Sequence, residues 1–162
     1  MSKHGFEFGS GVRNAKKPEW GPGKVIRVTG DTVQVVFRDY GTVSMKAAGV
    51  ERTDDPADSF GRRIVDPVEF RKRVERQKRG TFETRIDRKP FTMRVIPSGL
   101  EFTPGSGGAR SVTWAHVDEV LERYNVTGSL HPGDYTDLSR NASYILTLVD
   151  HLFPEPAETP EG

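Results

Sequence analysis

The sequence contains no cysteine. Disulfides, thiolate metal sites and cysteine nucleophiles are therefore excluded, and the absence fits a reducing cytoplasm. No run approaches the ~18 apolar residues of a membrane span. The opening MSKHGFEFGSG lacks the apolar stretch of a secretory signal, so neither export nor a membrane partner is expected. Core material is scarce: hydrophobic residues make up 34% and aromatic ones 9% of the 162 residues, against 29% charged. That is poor for a globular chain but richer than disorder requires. Turn formers are abundant, with Gly 17 and Pro 11, so short elements are expected rather than long helices. At roughly 100–200 residues per domain, the length fits one ordinary domain or two small ones.

The formal charge of +1 conceals a segregation. Residues 61–94 hold twelve Lys/Arg against five Asp/Glu, whereas 117–162 hold two against nine. Two halves of opposite sign either neutralise each other or leave the basic one to face a polyanion.

Residues 9–53 read as five short strands. In the segment 32–38, Val33, Val35 and Phe37 alternate onto one face, and Gly30-Asp31 makes a tight hairpin back to the strand 24–28. Residues 11–13, 42–45 and 50–52 supply the other three. A small closed barrel is the economical way to bury such a sheet, because closure removes exposed edges.

The stretch Gly11-Val12-Arg13-Asn14, then Pro18-Glu19-Trp20-Gly21-Pro22-Gly23-Lys24-Val25, a strand, a Gly-Asp turn and Val35-Val36-Phe37 resembles bacterial Tudor/SH3-like small barrels. Such domains are appended to UvrD-type repair helicases and occur in CarD-type RNA polymerase-binding regulators. The resemblance implies a docking surface without activity of its own, with Trp20 and Tyr40 on the barrel surface. Trp20, Phe37 and Tyr40 are the only aromatics within 9–53, so the cage that methyl-ligand Tudor domains use is incomplete.

Beyond the barrel, Asp66-Pro67 starts a helix, with 68–79 as its body and Gly80 as its stop. Glu69–Arg73 and Glu75–Arg79 are the i,i+4 pairs expected on it, leaving Arg71, Lys72, Arg76 and Lys78 unpaired. Residues 81–86, 91–96, 100–103 and 111–113 read as strands of a meander. An amphipathic helix follows over 114–124, capped by Thr113 and closed by Gly128. A last helix over 138–152 is capped by Asp137, and an acidic, Pro-rich, disordered tail begins at Pro154. The expected fold is α+β: a barrel domain over 1–58, a linker and basic helix over 59–80, an α+β domain over 81–153, and the tail.

The basic stretch carries the strongest functional signal. Arg62, Arg63, Arg71, Lys72, Arg76, Lys78, Arg79, Arg85, Arg88 and Lys89 are the candidate nucleic-acid contacts, since Lys and Arg neutralise phosphates and release counterions. Arg140, Asn141 and Tyr144 form a second candidate recognition cluster. Gly105-Ser106-Gly107-Gly108 lacks the phosphate-loop pattern and reads as a hairpin loop. His116 and Asp118 stand two apart on a helix, a poor geometry for shared metal ligation. No cofactor, metal, catalytic residue or small-molecule substrate is implied. The expected function is non-enzymatic: binding nucleic acid, DNA before RNA, or docking on a nucleic-acid-handling complex. An adaptor whose basic helix meets an acidic protein is the alternative. A hydrolase or nuclease using Asp134 and Asp137 with His131 is the second.

Overall fold

The computed structural model describes residues 5–53 and 63–153. It is a mixed α+β structure with two antiparallel sheets, dividing into two compact units, Met1–Asp66 and Pro67–Gly162. Arg62, the polar segment around residues 54–58 and the acidic tail lie outside the described residues. Among the described residues, no helix is long and apolar enough to cross a membrane.

The first unit holds β1 (Gly11–Asn14), β2 (Gly23–Thr29), β3 (Thr32–Phe37), β4 (Gly41–Lys46) and β5 (Val50–Arg52). They are ordered β4-β3-β2-β1-β5, with β4 and β5 at the open edges. The hairpin falls at Gly30-Asp31, where Gly30 takes φ +58 and Thr29 faces Thr32. A register shift between Val25 and Arg27 bends β2. Val33, Val35 and Phe37 turn inward, as their alternation requires, onto Val12, Val25, Ala47 and Val50. Gly23 makes this packing possible: a Cβ there would meet Val35 Cγ1 at 2.7 Å and Phe37 Cδ1 at 2.8 Å. Phe6, outside the expected strands, completes the core. Arg52 holds it there, with its guanidinium 5.3 Å from the Phe6 ring centroid and donating to the Gly5 carbonyl at 2.8 Å.

The second unit comprises α1 (Pro67–Gln77), β6 (Arg79–Glu83), β7 (Pro90–Ile96), β8 (Gly99–Pro104), β9 (Arg110–Thr113), α2 (Trp114–Thr127) and α3 (Ala142–Leu152). The four strands form a meander in chain order. One sheet face carries Phe82, Phe91, Met93, Leu100, Phe102 and Val112, all buried. On α3, Tyr144 packs against Phe91 and Phe102, and His151 meets Phe82 edge-on. Helix α1 packs against α2 and α3 and buries Phe70 and Val74. Thr113 caps α2 by accepting from the His116 N–H at 3.2 Å, and Gly128 closes it at φ +68.

Several boundaries differ from the sequence reading: the strand expected over 81–86 ends at Glu83, and α2 runs on to Thr127. Helix α1 stops at Gln77, not Arg79, because Lys78 turns left-handed at φ +65 while its N–H still reaches the Val74 carbonyl at 2.9 Å. Arg79 and Gly80 therefore begin β6, and Gly80 is no helix stop. Helix α3 starts at Ala142 rather than at Leu138. The segment before it is held by Tyr135, fully buried, whose carbonyl accepts from both Leu138 (2.9 Å) and Ser139 (2.8 Å).

Phe37 is 1% exposed. Phe37→Ala is expected to cost roughly 3–5 kcal/mol, the usual range for a core aromatic truncation. Urea unfolding checks this, and a loss below about 1 kcal/mol would place the side chain outside the core. Residues 1–66 expressed alone are expected to give a dispersed amide NMR spectrum, because the core of the first unit is made from its own side chains.

Candidate nucleic-acid interface

The ten basic candidates do not share one fate. Arg63 is 5% exposed, so it presents no charge to a polyanion; this corrects its place among the contacts. Arg71 is not unpaired. Its Nε donates to Glu75 Oε1 at 2.7 Å, and its guanidinium lies 4.5 Å from the Trp114 ring centroid. Because the helix ends before Arg79, Glu75 reaches back to Arg71 instead of forward to Arg79. Arg73 keeps its expected partner Glu69 at 3.1 Å, donates to the Leu152 carbonyl at 2.6 Å and lies over Phe153. It is a structural cation.

Other cations stay exposed. Among the described residues, Lys72, Arg76, Lys78, Arg79, Arg88, Lys89 and Arg110 form no ion pair. They fall on the elements that flank edge strand β6, except Arg110, which opens β9 at the opposite edge of the sheet. Lys72, Arg76 and Lys78 lie on α1 and its end, and Arg79 opens the strand. Arg79 stands directly opposite Arg94 on β7, and Arg94 leans to Glu101 at 2.8 Å. Like charges facing each other across a ladder are unfavourable unless an anion joins them. At the other end, the turn between β6 and β7 carries Arg85, Arg88 and Lys89. Thr84 shapes that turn, its hydroxyl accepting from the Lys89 N–H at 3.0 Å, while Arg88 adopts φ +50. Arg85 pairs with Asp150 at 3.2 Å. Lys72, Arg76, Lys78, Arg79, Arg88 and Lys89 take no part in such pairing.

A cleft of about 840 Å³ opens beside that turn. It collects residues far apart in sequence: Arg85 and Lys89 from the turn, Ser106 from the glycine-rich loop, Arg110 from β9, His131 and Tyr144. Of the second candidate cluster, Tyr144 alone lines it. Arg140 is exposed elsewhere, and Asn141 sits at the start of α3 with its Oδ1 buried and unpartnered.

The three residues of the hydrolase alternative are engaged structurally. Asp137 binds the Arg123 guanidinium (2.9 Å from Nη2), Asp134 accepts from the Ser129 hydroxyl, and His131 Nδ1 accepts from the Gly133 N–H at 3.0 Å. Asp137 therefore does not cap α3. In the first unit, Tyr40 is 61% exposed and stacks on Trp20 at 4.0 Å, with an interplanar angle of 13°. The Asp39 N–H, donating to the Trp20 carbonyl at 3.1 Å, fixes the two turns that carry them.

Residues 6–52 match the sequence model of a family described as a protein of unknown function, DUF3553. The match covers the five-stranded sheet and ends before α1. No curated protein and no solved structure matches the chain.

Two aspartates shift in opposite directions. Burial, helped by Glu122 and opposed by Arg71, pushes Asp118 above the usual carboxylate range. The Arg123 guanidinium, through its hydrogen bonds, holds Asp137 below it. A raised carboxyl penalises the folded state once pH exceeds its ordinary value; a lowered one stabilises the folded state there and loses that contribution as pH falls through its depressed value. Asp118→Asn is expected to raise the melting temperature at pH 7, and Asp137→Asn to lower it. Both differences shrink as the pH of the scan falls and each carboxyl takes up its proton, that at Asp118 first.

Proposed function

We propose that this is a non-enzymatic nucleic-acid-binding protein that also docks, through its first unit, on a nucleic-acid-handling complex. The observation that carries the reading is the set of exposed, unpaired cations at both ends of β6, with Arg79 set against Arg94. From Arg79 to Glu83, β6 spans ~13 Å at ~3.3 Å per residue. That length equals about four steps of ~3.4 Å along a duplex axis, the rise per phosphate of one strand. Exposed ion pairs contribute only ~0–1 kcal/mol, so leaving these side chains unpaired costs the fold little and keeps them available.

The first unit supports the docking half of the reading. A small SH3-like barrel accounts for the strand order β4-β3-β2-β1-β5, the bulge in β2 and the 3-10 turn Ala47–Gly49 before β5. Exposed Tyr40, stacked on the partly buried Trp20, also favours a second reading, a protein adaptor, because an exposed aromatic ring suits a protein partner.

Changing Lys72, Arg76 and Lys78 together to Gln is expected to leave folding nearly unchanged, as exposed substitutions do. Affinity for a labelled duplex is expected to fall, with the slope of log K against log salt shallower by ~0.9 for each phosphate that is no longer neutralised. Fluorescence titrations at several salt concentrations measure both quantities. Wild-type protein that retains neither DNA nor RNA at low salt would overturn the proposal in favour of the adaptor.

A further inference from the structure

The cleft of the second unit has a shape that electrostatic binding to a phosphate backbone does not require. Its volume, about 840 Å³, lies within the range of small-ligand clefts. Its walls mix polar and apolar groups, with Pro90, Pro104, Leu130 and Leu146 among the apolar lining residues. Tyr144 adds an aromatic surface whose orientation is set from behind, its ring 4.8 Å from Phe91 and 5.1 Å from Phe102. Charge enters from the sides: Arg85, Lys89 and Arg110 against the one acid Asp87. Arg85 is shared with Asp150, whereas Lys89 and Arg110 are free.

A cleft with apolar patches, an aromatic wall and cations beside it matches an unpaired nucleotide. The base enters and stacks, and its flanking phosphates meet Lys89 and Arg110. Ser106, His131 and Ser143 also line the cleft and supply hydrogen-bonding groups for a base edge. A base within a duplex is stacked and paired, and reaches such a cleft only by being extruded at a cost of a few kcal/mol. We infer that the cleft between the β6–β7 turn, the 105–108 loop and Tyr144 takes an unpaired base of single-stranded nucleic acid, with Lys89 and Arg110 holding the adjoining phosphates. This rests on the nucleic-acid reading and narrows it to single strands.

The test is fluorescence anisotropy with the full chain, a short labelled single strand as DNA and as RNA, and the duplex of the same sequence at fixed low salt. The single strand is expected to bind tighter. Lys89→Gln/Arg110→Gln alters only exposed side chains and is expected to weaken single-strand binding by about tenfold or more, and by a larger factor than it weakens duplex binding. Tyr144→Leu, if folded by circular dichroism, is expected to weaken single-strand binding alone by about tenfold, as removal of a stacking aromatic does. If it does not fold, the double variant decides. Equal affinity for duplex and single strand, or single-strand affinity unchanged in the double variant, overturns the inference while leaving nucleic-acid binding intact. A folded Tyr144→Leu protein with full single-strand affinity also overturns it, because the base then does not enter. Absence of binding to every probe removes the nucleic-acid reading itself.

Discussion

The second unit is organised by the contact of α3 with the inner face of the meander. Phe82, Phe91 and Phe102 present aromatic rings from three adjacent strands, and Tyr144 and His151 meet them from the helix. Aromatic pairs add directional preference to their area burial, so such a layer fixes orientation as well as separation. Once α3 is seated there, Tyr144 faces the cleft and Asp150 is brought to Arg85. Helix α1 then closes over α3, where Phe70 stacks near Phe153 and Arg73 reaches the last turn. The position of the basic helix is thus a consequence of apolar packing, and its charges are passengers on Phe70 and Val74.

Paired and unpaired cations on α1 divide according to what the helix touches. Arg71 and Arg73 lie near α2 and α3 and lay their guanidinium planes over Trp114 and Phe153. Planar, weakly hydrated guanidinium groups suit such stacking. Lys72 and Arg76 lie away from those contacts and remain solvated.

Much of the architecture was legible in the chain. Alternation at Val33, Val35 and Phe37, the Gly30-Asp31 turn and the Thr113 cap act over neighbouring residues, and each is found where the pattern places it. Features set by distant contacts were not legible. Phe6 joins the core of the first unit and meets Arg52, a residue 46 positions on in the chain. Arg71 has Glu75 four residues on, a pairing hidden by assuming a helix that ran on to Arg79. The start of α3 is delayed by Tyr135, whose burial among distant side chains no local pattern announces. The cleft is the extreme case, because its walls come from residues 84–90, 104–110, 130–133 and 143–146. The basic residues were visible as a cluster in sequence, but their division into buried, stacked and free groups is a property of tertiary packing.

Lys78 and Arg88 are the only described residues other than glycine with positive φ, at +65 and +50. Lys78 occupies the position after α1 where glycine is the usual residue. A side chain held left-handed costs of order 1 kcal/mol or more relative to glycine. Both positions carry a free cation of the candidate interface, one at each end of β6. At two separate turns the chain thus gives up stability to place a long charged side chain where the backbone geometry favours none. Substitution by glycine there would firm the fold while removing charge, so stability and surface potential are opposed at these two sites.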